Sequence, residues 1–352
     1  MSSKEQQFID QDLERVVPLL GNSLDKLSNQ SILVTGSAGF LGTWIIQLVN
    51  FLNINFKKDI NLFALDRDFF NFKKSHPHLI KAKNINIIES DVRSTINLSN
   101  DVDYILHAAS TPDRRAHSSG LLDTMTSIAN GTSSILSLSN RLPKLKMFVN
   151  ISASAIYDQS INEPINELSP GKPLSQNISY AHAEAKRFAE MLCNAARNEA
   201  RMPITTLRPF TFCGPYQDIN APWALNNFMR DVLQQNKINI KGNVNTKRSY
   251  MYGLDFAVWS LIILTNTKSG KIYNVGSDFG VSLSELSKAI LQHAELEEEQ
   301  VIINNSLLEQ VKQDSLIPNI DSAINDFGLQ LYTDFELAIK RTFNWYKLHS
   351  NE

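Results

Sequence analysis

Three glycines spaced three apart, Gly36, Gly39 and Gly42, follow the apolar run 32–35 and precede an apolar helical pattern. They read as a tight turn from a buried strand into a helix beginning near Phe40. With no Cβ atoms in the way, the backbone can close on a pyrophosphate, whose charge then sits on exposed N–H groups at the positive end of the helix. Gly36, Ala38, Gly39, Phe40, Leu41 and Gly42 are therefore candidate cofactor-binding residues. A second apolar run, 60–65, ends in Asp66, whose carboxylate can accept both ribose hydroxyls of an adenosine. That favours NAD over NADP, although Arg67 beside it can instead meet a 2′-phosphate. Glycine turns also occur at ordinary strand-to-helix junctions, so the reading rests on the elements that position this one.

Those elements alternate. Strand patterns at 32–35, 60–65, 85–89, 104–107, 147–151 and 204–208 are separated by helical patterns, among them 128–138 and 179–200. Parallel neighbours need crossovers, so the class is α/β: a doubly wound parallel sheet of the Rossmann type with helices on both faces. Ligands collect at the carboxyl ends of such strands, which places Asp91 and Val92 on the adenine side and Ala108, Ala109 and Ser110 on the nicotinamide side. Apolar positions in 5–28 predict two short helices on the outside of the core. After Gly214-Pro215 the alternation fades: Pro222 opens a helix through 227–233, and Ser282 with Glu285 reads as a helix start. The division expected is 1–215, N-terminal helices and an NAD-binding Rossmann domain, and 216–352, mainly a smaller α/β substrate-binding lobe.

With 34 Lys plus Arg against 36 Asp plus Glu, the charge is nearly balanced and scattered. There is no basic face for nucleic acid and no polybasic tail for a membrane. The longest apolar stretch, 40–51, is too short to span a bilayer, and the start lacks an apolar signal core. The two cysteines, Cys193 and Cys213, have no metal-ligand spacing around them and read as packed thiols in a reducing compartment; no metal is expected and a cytoplasmic location is.

Taken in order, Thr-Gly-Ser-Ala-Gly-Phe-Leu-Gly (35–42), Asp66, Asp91-Val92, His-Ala-Ala-Ser (107–110), Arg208-Pro209, Gly214-Pro215 and Lys-Arg-Ser-Tyr (247–250) resemble the extended short-chain dehydrogenase/reductase family. More narrowly, they resemble its NAD-dependent nucleotide-sugar epimerases and dehydratases. The resemblance implies tightly held NAD, oxidation of a sugar hydroxyl, and return of the hydride. It also implies a tyrosine and a lysine four apart on a helix, with a serine or threonine four residues before a Tyr-Gly pair. Here Lys186 matches the lysine, but four residues earlier stands His182. Tyr180, at 3.6 residues per turn, is about 240° round the helix from Lys186. The residue four before Tyr157 is Ala153, flanked by Ser152 and Ser154.

Histidine, with a reference pKa near 6.5, is available as a neutral base, and an ammonium one turn away favours that form. His182 can take a hydroxyl proton and return it; the other reading is a packed or hydrogen-bonded histidine in a catalytically weak, regulatory NAD- and nucleotide-binding protein. Lys186 holds the nicotinamide ribose under either reading, and Ser154 is a candidate hydroxyl for the substrate. Family dehydratases carry an Asp-Glu pair, and decarboxylases a glutamate, where this chain has Ser154 and Ala155. Epimerisation or simple oxidation and reduction is thus favoured over elimination, unless Glu163 or Glu167 substitutes. By resemblance, Asn227 and Arg248 grip the pyrophosphate of a nucleotide sugar, and Trp223, Phe228 and Tyr252 are candidates to stack on its base. A homodimer through the two long helices after the fourth and fifth strands is also implied.

Overall fold

The computed structural model describes residues 2–96, 98, 101–110, 120–158, 164–171, 175–303 and 314–349. Strands β1 (Ser31–Thr35), β2 (Asn61–Asp66), β3 (Ile85–Glu89), β4 (Tyr104–His107), β5 (Met147–Ile151) and β6 (Ile204–Pro209) are followed by the two-residue β7 (Phe212–Cys213), then β8 (Ile238–Ile240), β9 (Lys247–Ser249), β10 (Met251–Tyr252) and β11 (Ile272–Val275). The last three are β12 (Gly280–Ser282), β13 (Val301–Ile303) and β14 (Ser315–Leu316). The helices are α1 (Ser3–Val16), α2 (Phe40–Phe56), α3 (Phe70–Ser75), α4 (Pro77–Ile80), α5 (Leu121–Ser139), α6 (Ala181–Ala200), α7 (Ala224–Leu233), α8 (Gly253–Asn266), α9 (Leu283–Ala294), α10 (Asp321–Phe327) and α11 (Phe335–His349).

Seven strands pair in the order β11-β6-β5-β4-β1-β2-β3, every neighbour parallel. The chain order reverses between β1 and β4, which opens a crevice at their carboxyl ends. Strand residues alternate between two apolar layers: Ile32, Val34, Leu106 and Val149 face one core, while Leu33, Ile105 and Phe148 face the other. Both sides need apolar residues because both are covered, which is why the strands read as continuous apolar runs. On the first side lie α2 and α8, whose residues 254–264 are all buried; on the second, α5 packs along α6.

The boundary at 215 is crossed. β11 completes the edge of the main sheet beside β6, and α8 packs on α2 beneath it. The remaining C-terminal strands build the three-stranded β12-β9-β14 sheet and the β13-β8 pair, while β10 pairs with β7, and the apolar residues of α7, α9 and α11 join the first core without a break.

The N-terminal segment also differs from expectation. It forms one helix, α1, closed by a capping box of Ser2 and Glu5, and then two 3-10 turns, the first held by Pro18. It is part of the core rather than an outer layer. Ile9, Leu13 and Val16 are buried, and the buried Asp12 accepts from the Tyr252 hydroxyl at 2.7 Å and lies 3.0 Å from Arg341 Nε of α11.

Candidate active site

The glycine turn is shaped by close approach. Gly36 has φ +68°, and a Cβ there would lie 2.8 Å from the Ala108 carbonyl oxygen at the end of β4. A Cβ on Gly42 would lie 2.5 Å from the Gly36 carbonyl oxygen, so α2 packs directly on the turn. Gly39 caps α2 and is exposed, leaving the helix N-terminus open to a ligand. The Ser37 hydroxyl within this turn is buried and has no hydrogen-bond partner among the described residues. An open helix end, glycines at the points of close approach and an orphaned hydroxyl fit a pyrophosphate. Phe40 and Leu41 contribute the first turn of α2, but their side chains pack into the core, Phe40 against Phe212.

Asp66 closes the other side. Its carboxylate accepts from the Ala38, Arg67 and Asp68 amides at 3.1, 2.8 and 3.4 Å, and burial raises its pKa above the ordinary value against those hydrogen bonds. Gly36, Asp66, Arg67, Asp91, Val92, Ala109 and Ser110 line one cavity of about 170 Å³. Leu65, Ser90 and Ser127 complete it. Ala108 is not in its wall; it meets Gly36 through its carbonyl instead. Ser127 went unnoticed because it lies on α5, a crossover away from the strand ends that pattern reading searches. Asp91 is gripped by Arg93, which takes both carboxylate oxygens and holds its pKa down.

The α-helix carrying His182 and Lys186 starts at Ala181, after a 3-10 turn over Ile178–Tyr180. Tyr180 is thus outside the helix, and the angle assigned to it from 3.6 residues per turn does not apply. His182 and Lys186 both lie inside α6, one turn apart. His182 is half-buried; Lys186 is buried, and its Nζ donates to the Ile151 carbonyl at 2.7 Å. Burial lowers the Lys186 pKa to about 8, with Glu190 opposing. Burial, with the Lys186 charge adding to it, lowers the pKa of His107, which sits between Thr35 Oγ1 and Thr132 Oγ1. The lysine therefore stands at the carboxyl ends of β4 and β5, beside the crevice. Ser154 is buried on the 3-10 turn after β5, and Ala153 precedes it as that turn's cap. The buried Ser152 hydroxyl, two residues earlier, has no partner among the described residues.

Glu167 is committed elsewhere: it accepts from the Asn274 amide at 2.9 Å and the Ser322 hydroxyl at 3.2 Å, bracing β11 against α10. Glu163 lies outside the described residues. Arg208 is likewise internal, paired with Glu190 at 2.7 Å and donating to the Tyr157 hydroxyl at 2.8 Å.

A second cavity, about 410 Å³, is lined by Asn227 and Phe228 together with Arg230, Lys237 and Lys241. Asn227 accepts from Arg230 Nη2 at 2.7 Å. The helix begins at Ala224, two residues after Pro222. The three cations were missed by the sequence reading, although Arg230 lies one turn beyond Asn227. Arg248 does not line this cavity; its guanidinium is paired with Asp314 at 2.7 Å. Tyr252 is fully buried against Trp44 with its hydroxyl on Asp12, so it cannot stack on a base. Trp223 caps α7 and remains half-buried. Both cysteines are buried and unbridged. Among the described residues no helix is long and apolar enough to cross a membrane, and no cluster of metal-ligating side chains occurs.

The sequence of residues 32–276 matches the model of the NAD dependent epimerase/dehydratase family. The chain is 25% identical over 333 residues to human dTDP-D-glucose 4,6-dehydratase, covering 90% of this chain and 89% of that one. It is 26% identical over 271 residues to UDP-glucuronic acid decarboxylase 1 of Xenopus tropicalis, covering 76% of this chain and 61% of the relative. Its fold superposes with a TM-score of 0.77 on UDP-glucuronic acid 4-epimerase of Bacillus cereus in complex with UDP-glucuronic acid and NAD, at 20% identity, over 91% of this chain and all of that one. It superposes with a TM-score of 0.76 on dTDP-glucose 4,6-dehydratase of Bacillus anthracis in complex with NAD, at 19% identity, over 92% and 98% of the two chains.

Proposed function

We propose that this chain, which belongs to the NAD-dependent epimerase/dehydratase family, modifies a nucleotide-linked sugar as an epimerase-type oxidoreductase in which His182 is the acid/base. The observation that carries the proposal is the placement of Lys186: a buried ammonium anchored on the end of β5, with an imidazole one turn before it on the same helix. NAD, when bound, supplies the hydride acceptor that also returns the hydride. The glycine turn and the α2 N-terminus hold its pyrophosphate, and Asp66 holds its adenosine ribose.

His182 takes the proton from a sugar hydroxyl as the carbon bearing it is oxidised, and gives that proton back when the carbonyl is reduced. Lys186 fixes the nicotinamide ribose and, as a nearby positive charge, favours the proton-accepting imidazole. Ser154 offers a hydroxyl to the sugar oxygen. Elimination is disfavoured because Ser154 and Ala155 bring no carboxylate and Glu167 is engaged in bracing β11. The nucleotide end of the substrate lies in the second cavity, where Asn227, Arg230, Lys237 and Lys241 suit a diphosphate. Arg248 joins them if substrate draws it from Asp314. On this reading residues 1–215 serve mainly NAD and 216–352 mainly the nucleotide sugar.

The active form is a homodimer through α5 and α6, a reading supported by exposed Leu122 on the one and Phe188 and Met191 on the other. It works in a reducing cytoplasm, consistent with two unbridged buried thiols. The test is to present purified protein loaded with NAD to a panel of UDP- and dTDP-linked sugars and to follow absorbance of reduced nicotinamide. A transient rise with one substrate, abolished by His182→Ala, is expected. No rise with any member of the panel would leave a binding protein instead.

A further inference from the structure

Five charged side chains meet at the adenosine end of the first cavity: Asp66 and Arg67 at the end of β2, Asp91 and Arg93 after β3, and Asp123 in the first turn of α5. Arg93 takes both oxygens of Asp91, at 2.9 and 2.6 Å, and donates through Nη1 to Asp123 Oδ1 at 2.7 Å. The other oxygen of Asp123 lies 3.5 Å from Arg67 Nη1. Asp123 thus divides its carboxylate between two guanidiniums. It does not line the cavity, whereas Arg67 does.

We infer that Asp123 is a positioning residue for cofactor choice: by holding Arg67 it withholds that guanidinium from the ribose 2′-position and favours NAD over its 2′-phosphorylated form. The inference rests on the dinucleotide reading of the cavity and adds the residue that sets its selectivity. A 2′-phosphate carries close to two negative charges and needs a planar guanidinium to meet it. Arg67 lines the cavity and is the nearest candidate, since it adjoins Asp66. Among the described residues the five groups comprise three carboxylates and two guanidiniums, so such a phosphate enters a field already negative. Neutralising Asp123 balances the set and frees Arg67. The Arg67–Asp123 pair is partly exposed, so the effect is modest and sensitive to salt.

The experiment measures dissociation constants of full-length protein for NAD and NADP by calorimetry at low ionic strength. Wild type should favour NAD. Asp123→Asn should shift the ratio of the two constants toward NADP by about fivefold, a gain that shrinks with added salt. Asp123→Glu should keep the wild-type ratio. Arg67→Ala, with Asp123 in place, should leave the NADP constant within about twofold, since Arg67 is already engaged. An Asp123→Asn protein that binds NAD with an unchanged ratio overturns the inference. So does an Arg67→Ala protein that loses about fivefold or more of the wild-type NADP affinity; this arm stands even if Asp123→Asn fails to fold. Wild type that binds neither dinucleotide has a different signature and overturns the cofactor reading itself.

Discussion

The ammonium of Lys186 donates to the carbonyl of Ile151 at 2.7 Å, so helix α6 is pinned to the end of the interior strand β5 through a buried charge. This contact fixes where the rest of the His182 turn stands relative to the crevice. Burial lowers the lysine pKa from its ordinary value of 10.5 to about 8. Between those values the unfolded chain holds the proton and the folded one releases it, so raising the pH favours folding. Urea unfolding of wild type and Lys186→Met at pH 7.5 and pH 10 should show wild type gaining on the variant by about 1–3 kcal/mol. Parallel pH curves for the two proteins would contradict the placement.

Asp255, at the start of α8, runs the opposite way. It is fully buried, accepts from the Tyr332 and Thr333 amides and the Thr333 hydroxyl, and is raised by burial to about 7. Between 3.8 and that value the folded state binds more protons, so stability falls as pH rises through the window. An asparagine can accept both amide bonds and donate to the hydroxyl. Asp255→Asn should therefore lack the decline expected of wild type between pH 4 and 7, a difference of about 1–4 kcal/mol by chemical denaturation.

The glycines should separate into two kinds. Gly42→Ala forces a Cβ to 2.5 Å from a backbone oxygen and should cost about 2–3 kcal/mol of stability, with loss of cofactor binding. Gly39→Ala meets the Gly36 oxygen only at 3.3 Å on an exposed surface and should cost less than about 1 kcal/mol. It should still weaken NAD, because its methyl group occupies the open helix end. Thermal melts with and without NAD distinguish them: Gly39→Ala should keep its midpoint and lose most of the ligand-induced rise.

For His182, the measurement is the pH dependence of turnover. Wild-type kcat should fall at acid pH, where imidazole is protonated, and His182→Ala should lose about 10²–10⁴-fold across the range. His182→Tyr should remove that acid limb and require higher pH. A His182→Ala protein within a few-fold of wild type would assign the proton to another group.

Much of this was readable in the chain because the physics is local. Strands covered on both faces must be apolar throughout, and the glycine turn demands its residues whatever surrounds it, so β1 to β6 and the first cavity were legible. What escaped depends on distant partners. Strand β11 carries the polar Asn274 at a fully buried position, tolerable only because Asn274 receives the Tyr157 hydroxyl and donates to the Ile165 carbonyl. Asp12 interrupts the apolar pattern of α1 and suggests an outer helix, yet its partners are Tyr252 and Arg341, more than 200 positions away. Tyr252 looked free to stack on a base for the same reason. Arg248 matches a family position by sequence, but Asp314 claims it.

Helix α1 has one further implication. Glu5 pairs with His349, the Arg341 guanidinium lies over the Phe8 ring, and Arg15 bonds the backbone of Tyr332. Residues 3–16 are consequently lodged against residues 332–349. On the ribosome α1 is made more than 300 positions ahead of α11, so the face that meets this partner stays uncovered until α11 has emerged.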